Sequence, residues 1–494
     1  MNTAEKKTSR KSTISRKTHT NKQSAASDAI VAAPTDETSE IVQPGLALSE
    51  SVKIKPDENN VVIRMYNIGF GDCFLLLIPT SGGSKKVLID CGVHSSGRNP
   101  HSSLKQVIEN LMRDITDDED KNKKRIDLLI ATHRHQDHVS GFADKAWKDV
   151  EVGEVWMPWT ENYEDPEAVK ILKKQSTAGK KLHDALTLML SKPSFGFTPE
   201  KLAKIQLVKD FTENSLSNAK AMDTLHHGFS GGDDIQRRYL PDKDGKFKKI
   251  KSDLLPGVTV HILGPSSDEE VIRDMEPGAN EQWLRLIGEM GNDLKVLNPF
   301  HADWSEAVET TDLSIFAPNP NAAKSLKTDF EKINNLGDGA ELNLATQLEK
   351  AVNGTSLMLM FQIEHAHLLF PGDAQNGTWK SVLQDEETRS LLLKTNFYKI
   401  GHHGSHNATP KEFVYDILQP KFKAMASVYP VAAWQFIPKA ELMAALRERN
   451  GEVVRSDAAL ADFPDPEDFT RTAFFVETKV PINPSGAADD DTDE

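Results

Sequence analysis

The sequence predicts an α/β protein. Apolar runs of strand length recur along the chain and are closed by Gly, Pro, Ser or Asp turn residues. Segments with the period of amphipathic helices lie between them. Histidine and aspartate follow directly on three of the apolar runs.

Taken in order, Val61–Tyr66 and Cys73–Ile78 read as strands separated by a Gly69-Phe70-Gly71-Asp72 turn. Ser81-Gly82-Gly83-Ser84 is a second turn, before a strand at Lys86–Asp90. Leu104–Met112 has a helical pattern, and Asp127–Ala131 is a short apolar run that suits a buried strand. Val258–Leu263 reads as a strand closed by Gly264-Pro265, Ser356–Ile363 with His367–Phe370 as a strand pair, and Asn396–Ile400 as a further strand. Ala440–Arg447 reads as a helix.

The domain expected over 56–480 is flanked by tails and broken by two helical insertions. Residues 1–55 form a Lys/Arg/Ser/Thr-rich stretch without sustained apolar period and are expected to be a disordered basic tail. Residues 481–494 form an acidic tail. The insertions span about 160–225 and 266–345, the second holding Trp283, Phe300 and Trp304. Each is expected to pack as an elaboration or to cap a site.

Composition excludes several classes. With 59 Lys+Arg against 74 Asp+Glu, the net charge of -15 argues against a surface that binds nucleic acid throughout, while leaving room for a local basic groove. The longest apolar runs, Phe74–Ile78 and Leu357–Phe361, are far below the ~18–20 residues that cross a bilayer, so no membrane partner is expected. No apolar stretch follows the basic start, so no secretory signal is read there. The 2 cysteines, Cys73 and Cys91, exclude a disulfide scaffold and a cysteine-rich metal site, and a reduced, cytoplasmic setting is expected. Both suit small buried hydrophobes. There is no phosphate-cradling Gly-x-x-x-x-Gly-Lys-Ser/Thr, no dinucleotide fingerprint and no Gly-x-Ser-x-Gly elbow.

The chemistry-bearing stretch is Thr132-His133-Arg134-His135-Gln136-Asp137-His138, directly after the strand Asp127–Ala131. His133 and His135 alternate on an extended segment and can point the same way. Asp137 and His138 then turn toward a neighbouring position. Neutral imidazoles suit zinc, and carboxylate oxygen accepts zinc or a harder cation. One ion cannot easily take all four donors from so tight a turn, whereas two side by side can. Leu368-Leu369-Phe370-Pro371-Gly372-Asp373 is a buried strand ending in a carboxylate able to bridge two cations. Lys399-Ile400-Gly401-His402-His403-Gly404-Ser405-His406 is another strand ending in histidines.

In this order the segments resemble the metallo-β-lactamase-fold hydrolases. Within that superfamily the chain is most similar to the soluble metallo-hydrolase domains of DNA-uptake competence proteins. Asn67-Ile68-Gly69-Phe70-Gly71-Asp72, Leu88-Ile89-Asp90-Cys91-Gly92, Ile262-Leu263-Gly264-Pro265 and Asn353-Gly354-Thr355-Ser356-Leu357 also match, over about residues 60–460. The resemblance implies a four-layer αββα sandwich with the metals at one edge of the sheets. It implies that His133 and His135 hold a first metal. It implies that Asp137 and His138 hold a second, completed by one histidine of the pair His402/His403, with His402 favoured because it leaves the strand first, and that Asp373 bridges the two. It leaves His403 as the proton-donating partner, makes Asp137 catalytic as well as a ligand, and sets Asp90, Asp72 and Ser405 around the ligands. The cofactor implied is a pair of divalent cations, zinc or alternatively manganese.

Two departures stand out. Many members supply a further histidine to the first metal, and here Asn353 and Ser356 occupy that region. Similar domains often carry a late His-Pro pair, and here Ile437-Pro438 stands in its place. Of the other histidines, His226-His227 sits at a helix end, His365 and His367 flank a hairpin turn, His261 lies within a strand, and His301 lies in the second insertion. Trp156, Trp159 and Trp434 suit core or pocket walls equally. The expected activity is metal-dependent hydrolysis of a phosphodiester or nucleic-acid-like substrate. The alternatives are a small ester, thioester or lactam on the same site, or a metal-binding scaffold without turnover.

Overall fold

The structure, a computed structural model, describes residues 52–100, 102–191, 199–216, 218–242, 248–268, 271, 272, 274, 348, 350–431, 437–457 and 464–483. Nearly all of both expected tails and of the insertion 266–345 fall outside the described residues, as do Trp283, Phe300, His301, Trp304 and Trp434.

Strands β1 (Asn60–Tyr66), β2 (Phe74–Ile78), β3 (Lys85–Ile89), β4 (Lys124–Ile130), β5 (Val150–Pro158) and β6 (Gln236–Leu240) build one sheet. Strands β7 (Lys248–Lys251), β8 (Val258–Gly264), β9 (Met358–Ile363), β10 (Ala366–Phe370), β11 (Phe397–Lys399), β12 (Lys423–Ala426) and β13 (Glu452–Arg455) build a second. β14 (Phe469–Arg471) and β15 (Phe475–Pro481) return to the first, which runs β14-β15-β1-β2-β3-β4-β5-β6. The second runs β13-β12-β11-β10-β9-β8-β7.

Both sheets are mixed in the same way. In the first, pairing is antiparallel from β14 to β3 and parallel from β3 to β6. In the second it is antiparallel from β7 to β10 and parallel from β10 to β13.

The period of two decides what each strand buries. In β9, Leu359, Phe361 and Ile363 face the other sheet, while Met358 and Met360 face outward. In β10, Leu368 and Phe370 face in and Leu369 faces out. Val61, Ile63, Phe74, Leu76, Leu128 and Ile130 meet them from the first sheet, so the two sheets share one apolar core. Each fully buried side chain of this kind contributes roughly 1.5–3 kcal/mol. Both outer faces are covered too, which is why the central strands read as continuous apolar runs.

The outer face of the first sheet takes helix α1 (Leu104–Ile115) through Val107, Ile108, Leu111, Met112 and Ile115. Ser103 starts α1 with a capping box, its side chain accepting from the Gln106 N–H while Gln106 bonds the Ser103 backbone. A buried polar knot ties α1 to β1: Arg64 donates to Asp114 at 2.7 Å, the Tyr66 hydroxyl donates to the same carboxylate at 2.7 Å, and the Ile54 N–H donates at 3.1 Å. A short turn α2 (Gln136–Val139) and helices α3 (Pro166–Ser191), α4 (Pro199–Leu216) and α5 (Ala219–Asp223) follow. The outer face of the second sheet takes α6 (Asn376–Gln384), α7 (Glu386–Leu392) and α8 (Ala440–Glu448) through Trp379, Val382, Leu392, Leu442 and Leu446. The layers are those of an α/β sandwich. Among the described residues no helix is long and apolar enough to cross a membrane. Cys73 and Cys91 are buried free thiols.

Candidate metal centre

Both sheets here switch from antiparallel to parallel, at β3/β4 and at β10/β11, and the histidines and aspartates follow those strands. Asp90 follows β3, His133 to His138 follow β4, Asp373 follows β10, and His402 and His403 follow β11. Asp72 joins them from the turn before β2.

Main-chain bonds hold these loops together. The Asp72 N–H donates to the Asp137 carbonyl at 2.9 Å and the Cys91 N–H to the His138 carbonyl at 2.8 Å. The Leu357 N–H, entering β9, donates to the Thr132 carbonyl at 2.9 Å and so joins the second sheet to the histidine-bearing loop. Gly92 permits the approach, since a Cβ there would meet His138 N and Gln136 O at 2.5 Å. Asp90, His402 and His403 all have positive φ, at 57°, 44° and 53°. Left-handed non-glycine backbone costs on the order of 1–3 kcal/mol per residue and clusters at functional sites. At residues 402–403 it turns two successive imidazoles off one strand end.

Asp137, His138, Asp373 and His403 each place a ligand atom within 4.8 Å of the others, and all four are buried. His138 Nδ1 lies 2.8 Å from Asp90 Oδ2, and Asp90 is itself fixed by the Thr132 N–H and hydroxyl, each at 2.7 Å. That contact aims His138 Nε2 at Asp373 Oδ2, 3.2 Å away. His403 Nδ1 donates to the Ser427 carbonyl at 2.7 Å, which turns its Nε2 to Asp137 Oδ2 at 3.2 Å. On the other side of Asp373, His133 Nε2 stands 3.9 Å from Asp373 Oδ2 and 3.1 Å from His135 Nδ1. The outer nitrogen of His135 meets Ser215 Oγ at 3.1 Å.

The donors fit a divalent cation. Imidazole nitrogen and carboxylate oxygen are zinc and manganese ligands. Asp137 Oδ1 and Asp373 Oδ1 are buried without a hydrogen-bond partner, which few buried polar atoms tolerate.

The charges on these residues are held by one another. Burial resists ionisation of Asp137, yet the charge of His138 and the bond from His403 outweigh it and keep the carboxyl well below its ordinary value. Asp373 behaves alike: burial opposes its ionisation, but His138, His402 and Lys399 hold it low. Burial would depress His138, but Asp373, Asp90 and Asp137 raise it well above the usual imidazole range. His403 is raised against burial by its bond to Asp137 and by Asp72. Burial dominates at His135 and His402, both pushed down to about 4, and at His133, also lowered by its neighbours His138 and His135.

Of the two adjacent histidines, the structure puts the second, not the favoured first, in the tight group. His403 joins the tight donor group. His402 stands at its rim, with Nε2 3.8 Å from Asp373 Oδ2 and accepting from Asn353 Nδ2 at 3.3 Å. Ser405 bonds His402 Nδ1 at 2.8 Å. Asn353 thus stands beside the centre in the region where a further histidine was sought. Asp72 pairs with Lys399, and Pro438 packs against Gly404, where a Cβ would meet it at 2.7 Å.

Lys399 escapes sequence reasoning. Only 2% exposed, its ammonium faces Asp72, stands 3.6 Å from Asp373 Oδ1 and donates to the Gly372 carbonyl at 3.3 Å. Burial would discharge it, but Asp72 and Asp373 raise its pKa above the ordinary lysine value. The signal in the sequence is a lone lysine between Tyr398 and Ile400 in an otherwise apolar strand. His94 escapes too, buried where the charges of Asp137 and His403 reach it. The remaining described histidines named above lie elsewhere: His261 meets Gln362 at 2.8 Å, His367 donates to the His365 carbonyl at 3.0 Å, and His227 pairs with Asp233 at 2.7 Å. Compared with models of known families and with curated proteins, the chain matches none.

Proposed function

We propose that the chain is a metal-dependent hydrolase of the metallo-β-lactamase type and that its substrate is a phosphodiester. The observation that carries this reading is the buried convergence of Asp137, His138, Asp373 and His403 from three strand ends of two sheets. Asp137, His138 and His403 would hold one cation, His133 and His135 a second, and Asp373 would lie between them. A pair of divalent cations supplies Lewis acidity, lowering the pKa of water and stabilising negative charge on an electrophile's oxygens. The chain's own contribution is orientation. Asp90 and the Ser427 carbonyl each fix one histidine tautomer, which leaves Nε2 of His138 and of His403 to face the ligands' side. Lys399 adds a buried positive charge beside Asp72 and Asp373. His402, neutral at pH 7 and bonded by Ser405 and Asn353, is the histidine placed to touch what enters. The phosphodiester preference rests on the resemblance of the ordered motif set to the competence-type domains.

The test is metal analysis of the purified chain, then hydrolysis of bis(p-nitrophenyl) phosphate after chelation and readdition of zinc or manganese. Metal-restored turnover that falls at least about a hundredfold in Asp137→Ala supports the reading. Wild-type turnover in that variant, or a chain that takes up no metal, refutes it.

A further inference from the structure

Lys399 stands where the pleat calls for an apolar side chain. In β11, Phe397 faces the core between the sheets and Tyr398 faces outward, so the period of two turns Lys399 inward. Its side chain leaves the second sheet and reaches the first, where the ammonium pairs with Asp72 in the turn before β2. It also donates to the Gly372 carbonyl at 3.3 Å and stands 3.6 Å from Asp373 Oδ1, an ion-pair separation rather than a hydrogen bond. Each of these partners is an acceptor, as an ammonium with its full set of protons requires.

The ammonium lies among the carboxylates of the centre. Asp72, Asp90, Asp137 and Asp373 are all buried. Among the described residues, Lys399 is the one lysine or arginine that forms an ion pair with any of the four. The two oxygens of Asp373 have different neighbours. Oδ2 is turned to three imidazoles, 3.2 Å from His138, 3.8 Å from His402 and 3.9 Å from His133, while Oδ1 faces the ammonium. Asp72 in turn stands 3.8 Å from Nδ1 of both His138 and His403. One carboxylate thus separates the ammonium from the histidines on either side. A fixed positive charge in that place has two opposed effects. It balances carboxylates that would repel one another in a buried, unloaded site. It also repels a dication: by Coulomb's law an ammonium about 6 Å away opposes binding by about tenfold even at the dielectric constant of water.

We infer that Lys399 is a resident cation of the centre: it holds Asp72 and Asp373 in place before any metal is bound, and it loosens the hold on the metals that arrive. The inference rests on the proposed metal binding and deepens it, from which donors hold the cations to how tightly they do so. Lys399 is a positioning residue that acts through the two carboxylates. A lysine that merely bridges the two sheets makes the opposite prediction, because its loss would disorder the donors and weaken metal binding.

The experiment is zinc binding to the full chain, measured by competition with a coloured chelator, with urea denaturation of the unloaded protein beside it. In Lys399→Met the zinc dissociation constant is expected to fall by at least about tenfold, while the unloaded chain unfolds at lower urea. Asp72→Asn, which leaves the ammonium without its carboxylate, should bind zinc about tenfold more weakly than wild type. Adding Lys399→Met to Asp72→Asn should recover that loss. The comparison of these two decides the matter if Lys399→Met alone does not fold, because the double variant leaves no Asp72 charge unpaired. Unchanged or weaker zinc binding on loss of Lys399, in either background, overturns the inference. A wild-type chain that takes up no zinc overturns it together with the proposed function. Tighter zinc binding without Lys399, in a chain that hydrolyses no bis(p-nitrophenyl) phosphate, keeps the inference and removes the hydrolase. Metal-dependent hydrolysis with zinc affinity unmoved does the reverse.

Discussion

At the scale of single residues the centre turns on two adjacent histidines with different surroundings. His403 is anchored by the Ser427 carbonyl and faces Asp137, whereas His402 is bonded by Ser405 and Asn353. Removing His403 should therefore strip the cation from its site. Removing His402 should leave metal content near wild type while lowering turnover by about a hundredfold. Metal analysis of His403→Ala and His402→Ala, beside phosphodiester hydrolysis by each, checks this, and equal metal loss in both defeats the distinction. That Asp137, His138 and Asp373 come together was legible in the sequence because their loops follow buried strands. The order of His402 and His403 was not, because it depends on left-handed backbone at both residues. Lys399 was hidden for another reason: its partners Asp72 and Asp373 belong to distant turns.

At the scale of elements, the strands readable in advance were those buried on both faces, such as β2, β9 and β10. Their runs Phe-Leu-Leu-Leu-Ile and Met-Leu-Met-Phe have no polar interruption. Several of the missed ones carry charge. β6 is Gln-Arg-Arg-Tyr-Leu, β7 is Lys-Lys-Ile-Lys, and β13 is Glu-Val-Val-Arg, and each stands at the end of a sheet. Edge strands tolerate such residues, so pairing rather than composition defines them. β5 was missed despite being central, because Glu151, Gly153 and Glu154 interrupt its apolar residues. The packing of α1 offers a test at this scale. Arg64 and Asp114 are each about 1% exposed, and breaking a buried pair costs roughly 3–5 kcal/mol because one charge is left unpaired. Asp114→Ala should lose about that much in urea denaturation. A loss under about 1 kcal/mol would show that water or Glu477 compensates Arg64.

At the scale of the whole molecule, the centre joins the two sheets at one edge, beyond the apolar core they share. The β4 loop belongs to the first sheet, while Asp373 and His403 belong to the second. A cation held by both sides, as proposed, would bind the folded chain and not the unfolded one. At a free concentration about 100 times its dissociation constant it should add about 2.7 kcal/mol to stability. Denaturation with zinc and with a chelator should differ by that amount in the wild-type chain and coincide in Asp137→Ala. A shift of equal size in that variant would mean that the cation binds elsewhere.

The hydrogen bond from the Leu357 N–H to the Thr132 carbonyl has a consequence for how the chain is made. During synthesis His133 to His138 leave the ribosome long before Asp373 and His403. The early half exposes histidines that have neither their carboxylate partner nor the strand that covers them. On the proposed function, a cation met at that moment would find an incomplete coordination sphere and would exchange freely. Firm capture would then wait until the later half docks, so that loading and the last act of assembly would be one event.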